Sequence, residues 1–287
     1  MNSKVVVVGS LHYDIVVEAP YRPEKGETVL GYKWFPKFGG KGGNQAMAAA
    51  KAGCSVTMVS AVGNDDFARF MLQTLQQQQI STEFIQHRSS VGTGMSVAIM
   101  DDEGDYGAVV VSGANLEIDQ MHLNDEQLWS DVKMLILQNE ILECTNITAA
   151  SEAKKRHIPV CINAAPAKQL SAELNQLIDI LIVNAVEARD MCGIEVTDLD
   201  SALSAANKLA LTYPQVVVTA GGDGVAFSDR NEQGSIPAKK VKLVSTHGAG
   251  DCFVGHLCAA LVQGMNLKQA VELGNLKAAE HVSQSKV

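Results

Sequence analysis

Residues 134–163 read MLILQNEILECTNITAASEAKKRHIPVCIN. A short apolar run, 134–138, is followed by a helical pattern over 145–156 and by a second apolar run, 159–163. Strand, helix, strand in that order makes a parallel pair with a covering helix. The unit recurs on both sides. Further apolar runs lie at 5–9, 56–63, 179–184 and 216–222, and further helical patterns at 44–52, 67–79, 185–192 and 200–212. The runs are β-branched and do not alternate, as strands buried on both faces require. The expected fold class is α/β, a mostly parallel sheet between two layers of helices.

Two segments break the rhythm. Residues 11–38 hold tyrosine, tryptophan and phenylalanine and three of the seven prolines, with no helical period. Residues 92–112 read as two strands joined by a turn at 102–105. Together they predict a small β-sheet attached to one domain spanning 1–287.

The chain has 287 residues, of which 46% are hydrophobic and 19% charged, so it can bury a large core without covalent staples. Its formal charge is -9 and its basic residues are scattered, which argues against nucleic-acid or anionic-membrane partners. Such a chain still binds phosphate through backbone N–H groups. The apolar run at the N-terminus is too short for a signal core or a membrane span. The six cysteines (Cys54, Cys144, Cys161, Cys192, Cys252 and Cys258) contain no CxxC pair. They are expected to be buried, inert thiols of a reducing, cytoplasmic compartment.

Polar residues gather where the predicted strands end. Ser10, His12 and Asp14 follow the first; Gly63, Asn64 and Asp65 follow 56–62; Gln138, Asn139 and Glu140 follow 134–137. Asn163, then Asn184 with Glu187, then Gly221, Gly222 and Gly224 follow the rest. In open α/β sheets that edge binds ligands.

Two glycine-rich stretches stand out. In FGGKGGNQAMAAAKAG, 38–53, Gly39, Gly40, Gly42 and Gly43 permit unusual backbone angles and close approach of a ligand. The stretch fits neither a Walker loop nor GxGxxG, because Gly42 follows the lysine and Gln45 takes the last glycine position. In STHGAGDCFVGHLCAALVQG, 245–264, three small residues precede Asp251 at the start of a helical pattern. Gly248, Ala249 and Gly250 would let an anion reach the unpaired N–H groups of a helix start. There Asp251 is either a general base for an attacking hydroxyl or a simple helix cap.

Together these segments resemble the ribokinase family of carbohydrate kinases, also called the PfkB family. GGKGGNQA at 39–46 is similar to its first glycine signature and THGAGDCF at 246–253 to its second. Supporting pieces are GS-x-x-x-D at 9–14, VGND at 62–65, GAN at 113–115, NAAP at 163–166, N-x-x-E at 184–187 and T-x-G-x-x-G at 219–224. The resemblance implies a ribokinase-like α/β/α domain with a β lid, and Mg²⁺·ATP-dependent phosphorylation of a sugar hydroxyl. By the same analogy Asp251 is the base, and Gly248, Ala249 and Gly250 form the anion hole. His12, Asp14, Gly40, Lys41, Asn44 and Glu140 hold the sugar. Asn184, Thr219, Gly221, Gly224 and Asn275 contact ATP, and Glu187 supports Mg²⁺ through water.

Three departures qualify the analogy. His12 stands where members close to ribokinase have asparagine, which opens the acceptor to sugars other than ribose. Ser245 stands where cation-activated members have aspartate, and the chain stops at Val287 within the region that supplies further cation ligands; both count against K⁺ activation. Tyr13, Trp34 and Phe35 keep a nucleoside acceptor in view, although packing is the simpler role for them. A non-catalytic binding protein on the same scaffold is the third alternative. Exposed lid edges predict a homodimer through the lid.

Overall fold

A computed structural model describes residues 3–103 and 106–283. Among them, nine strands form the central sheet and four a separate small sheet. The central sheet runs β13–β12–β11–β10–β9–β8–β1–β4–β5. Its parallel strands are β1 (Lys4–Val8), β4 (Ser55–Gly63), β5 (Ser81–Arg88), β8 (Val132–Gln138), β9 (Val160–Asn163), β10 (Ile180–Asn184) and β11 (Gln215–Thr219). Two antiparallel strands, β12 (Gly224–Asp229) and β13 (Gln233–Pro237), extend it at one end.

Each apolar run became a strand because both of its faces are covered. On β1, Val6 and Val8 face one apolar cluster while Val5 and Val7 face another. The first cluster is completed by α4 (Glu143–Lys155), α5 (Ala172–Leu177), α6 (Ala185–Cys192) and α7 (Leu199–Leu209), with the short α3 (Glu126–Trp129). The second takes α1 (Lys41–Lys51), α2 (Asp66–Gln77), α8 (Ala249–Val262) and α9 (Leu267–Ser283). Side chains such as Leu135, Ile136 and Phe227 are wholly buried, each contributing about 1.5–3 kcal/mol relative to exposure.

The small sheet comprises β2 (His12–Glu18), β3 (Lys33–Gly39), β6 (Met95–Met100) and β7 (Tyr106–Val111), in the order β3–β2–β6–β7. It unites the two segments that broke the helical rhythm. The turn expected at 102–105 lies partly outside the described residues. Strands β5, β12 and β13 carry too many polar residues to register as apolar runs, and the sequence reading passed over them. The run 216–222 ends as a strand at Thr219, where a 3-10 turn at Gly221–Asp223 takes over.

Two expectations are corrected. Cys144 is exposed, whereas the other five cysteines are buried. Trp34 and Phe35 are not packed into the lid: Trp34 is 64% exposed and Phe35 36%. Tyr13 does pack, stacking on Phe67 with ring centroids 4.1 Å apart and meeting Phe70 edge-on at 5.0 Å. That ring is therefore committed to α2.

Candidate active site

Strand order places the site. From β1 the sheet grows one way through β4 and the other way through β8. Ser10, which follows β1, and Glu140, which follows β8, therefore face each other at the point where strand order reverses. Ser10 Oγ donates to Glu140 Oε2 at 2.5 Å, and the backbone N–H of Lys41 donates to the same oxygen at 2.8 Å. His12 Nδ1 lies 3.8 Å from it, and His12 Nε2 is buried with no hydrogen-bond partner among the described residues. The same lid strand, β2, brings Asp14, whose Oδ1 accepts from Ser96 Oγ on neighbouring β6 at 2.5 Å. Burial raises the Asp14 pKa above its ordinary range, against the pull of Ser96, His12 and Lys37.

Helix α1 starts at Lys41, three residues before the expected start, and the difference has a steric cause. A Cβ on Gly42 would lie 2.6 Å from the Ser10 nitrogen, and one on Gly43 2.7 Å from the Phe38 ring. These two glycines let the helix press against the polypeptide itself rather than against a ligand. Gly40 does adopt a left-handed φ of 86°, and a Cβ there would lie 2.7 Å from the Ser10 carbonyl oxygen. Gly39 makes room for Asp14, whose Oδ2 would lie 1.9 Å from a Cβ at position 39.

At the start of α8 no side chain caps the helix. Gly248, at φ 74°, is the N-cap residue, and a Cβ on Gly250 would meet nothing within 4 Å. The mouth is open, as an anion hole requires. The capping alternative for Asp251 is excluded. Its Oδ2 accepts from Asn44 Nδ2 at 3.2 Å and its Oδ1 from Gln45 Nε2 at 3.0 Å, both across from α1. Burial pushes the Asp251 pKa from its ordinary 3.8 to about 6; the Lys41 charge and the two amides oppose that rise and Glu140 adds to it.

The remaining predicted residues form a second group at the ends of β10 and β11. Asn184 and Thr219 are register partners on the two strands. Asn184 caps α6 in a capping box: its Oδ1 accepts from the N–H groups of Val186 and Glu187 at 2.8 and 3.1 Å. Both oxygens of buried Glu187 are held by Asn184, one by the backbone N–H at 2.7 Å and one by Nδ2 at 2.9 Å. Burial raises the Glu187 pKa, while Asn184 and the Lys41 charge counteract it. Lys41 thus acts electrostatically on both Asp251 and Glu187. Gly221 (φ 56°) and Gly224 (φ 128°) shape the turn after β11, and a Cβ on Gly221 would stand in open space. Asn275, on α9, donates to the Pro237 carbonyl at 3.0 Å beside β13.

Several residues that hold this arrangement were visible in the sequence without an assigned role. Asn115 pins Leu11 through both backbone groups, each at 2.9 Å. Asp65 caps α2 and also accepts from the N–H and hydroxyl of Thr93, tying the lid base to the sheet. Gln45 and Asn163 stand inside quoted motifs, GGKGGNQA and NAAP, but were given no role of their own. The available signal for Gln45 was a polar residue flanked by small ones, Gly42, Gly43, Ala46 and Ala48; in the fold it is wholly buried.

A Glu140→Gln variant tests the cradle. The amide would offer an N–H where Ser10 and Lys41 both donate, and the charge would be lost. A hydrogen bond to a charged group contributes about 1.5–3 kcal/mol, so KM for the acceptor should rise roughly 10- to 100-fold. An unchanged KM would remove Glu140 from the acceptor site.

The profile of the pfkB family carbohydrate kinases matches residues 2–287. The chain belongs to this family. It is accordingly an ATP-dependent sugar kinase, a phosphotransferase with a hydroxyl acceptor. It is 33% identical to a ribokinase of Haemophilus influenzae over 99% of this chain and 94% of that protein. It is 36% identical to the ribokinase of Mus musculus, over 97% and 88%. Among solved structures it resembles the Arabidopsis thaliana ribokinase complexed with ribose and ATP, at a TM-score of 0.91 and 26% identity, covering 100% of this chain and 95% of that one. It also resembles the Thermotoga maritima ribokinase, at a TM-score of 0.85 and 31% identity, covering 100% and 94%.

Proposed function

We propose that this kinase phosphorylates a ribose-like pentose or a related hexose from Mg²⁺·ATP, with Asp251 as general base. The observation that carries the reading is the position of Asp251. It is a buried carboxylate at the open mouth of α8, fixed from α1, whose first turn also binds Glu140. The acceptor hydroxyl gives its proton to Asp251 as its oxygen attacks the terminal phosphorus of ATP, and ADP leaves. The backbone at Gly248, Ala249 and Gly250 stabilises the charge on the transferring phosphoryl oxygens. His12, Asp14, Gly40, Lys41, Asn44 and Glu140 bind the sugar. Carboxylates suit this because one can accept from two hydroxyls.

The nucleotide lies along the second group, against Asn184, Thr219, Gly221, Gly224 and Asn275. No cluster of three acidic, histidine or cysteine side chains suited to a metal exists among the described residues. The Glu187 oxygens are already engaged by Asn184. That engagement suits an indirect role, Glu187 acting through water on a hydrated Mg²⁺ carried by the ATP phosphates. Ser245 supplies no anionic ligand, so turnover should not depend on K⁺. The homodimer reading draws on two unpaired lid edges, β3 and β7, and on exposed Val109, Val110, Val111 and Trp34. A monomeric sedimentation profile at micromolar protein would remove it. No described helix is long and apolar enough to cross a membrane, and a cytoplasmic location remains the expectation.

The test is ADP release with ribose, 2-deoxyribose, fructose, tagatose, adenosine and pseudouridine, with and without K⁺. Turnover with a free sugar, abolished in Asp251→Asn, supports the proposal. A preference for a nucleoside would move the acceptor class. Bound ATP without transfer to any of them would favour a non-catalytic role.

A further inference from the structure

Four polar groups form a line beneath the site. Asn163, at the end of β9, donates Nδ2 to the Ile182 carbonyl at 3.2 Å. Gln45 donates Nε2 to Asn163 Oδ1 at 3.2 Å and to Asp251 Oδ1 at 3.0 Å. A backbone carbonyl can only accept, so it fixes which end of the Asn163 amide faces it. Asn163 must then turn its oxygen to Gln45, and Gln45 must answer with its nitrogen. The result is an N–H group aimed at Asp251 Oδ1, with the polarity set by a main-chain oxygen two residues removed. Gln45 is wholly buried, so it cannot reach a substrate. Its Oε1 has no hydrogen-bond partner among the described residues, so the amide is held through its nitrogen.

We propose that Gln45, oriented by Asn163, is a positioning residue that holds Asp251 as an ionised, correctly aimed acceptor for the substrate proton. This rests on the reading of Asp251 as the base. An N–H donor favours the carboxylate over the carboxylic acid. It also occupies Oδ1, which leaves Oδ2 as the oxygen that meets the acceptor hydroxyl. Among the described residues Oδ2 is held by Asn44, a partly exposed residue that can transfer its amide to the incoming sugar. The charged groups acting on Asp251 are Lys41, from the first turn of α1, and Glu140, beyond β8. Lys41 favours the ionised form and Glu140 opposes it. Gln45 acts alongside both from a place that water does not reach.

The experiment is the pH profile of kcat/KM for the sugar in the wild type, Gln45→Met, Asn163→Leu and Asp251→Asn, with thermal denaturation of each. Gln45→Met keeps the volume and removes the donor. Its acid limb should move up by about one pH unit or more. Asn163→Leu frees Gln45 to flip and should move the limb the same way by less. A merely structural role would lower Tm and the plateau rate while leaving the limb in place, and that result overturns the proposal. If Gln45→Met fails to fold, Asn163→Leu carries the test by itself. Asp251→Asn separates the two layers of inference. If it is inactive and the limbs coincide, the relay fails and the base stands. If it turns over normally, both fall.

Discussion

Asp251→Asn should cost about two to four orders of magnitude in kcat while making the protein more stable at neutral pH. The first effect follows from the loss of a positioned general base. The second follows from burial. Asp251 ionises at about 6 in the folded chain against an ordinary 3.8. Its charge is therefore harder to hold in the folded state than in the unfolded one. Below pH 3.8 the group is neutral in both states and costs nothing. As pH rises to about 6 the unfolded chain ionises first, and stability falls. Above that the deficit is constant, at most about 3 kcal/mol for a shift of this size. The asparagine variant lacks this term, so its advantage should grow between pH 4 and 6 and then level off. Thermal denaturation across that window, paired with ADP release, tests both halves. Normal turnover, or a variant less stable than the wild type at pH 7, would contradict the account of Asp251.

Gly255→Val should damage stability and catalysis together, although the residue touches no substrate. Gly255 lies in the middle of α8, where a Cβ would sit 2.4 Å from the Ala48 Cβ and 2.7 Å from the Gln45 carbonyl oxygen. Helices α1 and α8 thus meet backbone to backbone. A side chain there forces them apart and so lengthens the two hydrogen bonds that α1 makes to Asp251. Overpacking of this kind costs about 1–3 kcal/mol and sometimes more, and a branched side chain lies at the upper end. Alanine is the milder probe, because its better helix propensity offsets about 1 kcal/mol of the strain. The decisive comparison is activity per folded molecule. It should drop at least tenfold for valine at a temperature where the variant is still folded, since a displacement of about 1 Å at a reacting group can cost about 10²-fold. Full activity in the folded fraction would show that α1 and α8 can separate without moving the base.

How much of this was written plainly in the chain differs from element to element. β1, β8, β10 and β11 were legible because strands buried on both faces need unbroken apolar runs. β5 was not: STEFIQHR lies at the sheet edge, where only part of each residue must be apolar. The first glycine stretch was legible as special but only part of its purpose was, because close approach to Ser10 and close approach to a ligand demand the same residue. Asp251 was legible because small residues leave a carboxylate conspicuous at a helix start. Gln45 and Asn163 were not, since their importance lies in partners 206 and 118 residues away along the chain. An amide carries no mark of which distant group it will face. The family resemblance alone supplied the roles proposed for the nucleotide residues; in the fold Asn184 and Thr219 are register partners.

The division of the molecule into two sheets has a consequence for its ancestry. His12 and Asp14 sit on the small sheet, whereas Asp251, the α8 mouth and the Asn184–Glu187 capping box belong to the large one with its helices. On the proposed assignment, selection could retune His12 and Asp14 from the small sheet, whereas changes at Lys41, Asn44 or Glu140 would also disturb the groups that act on Asp251.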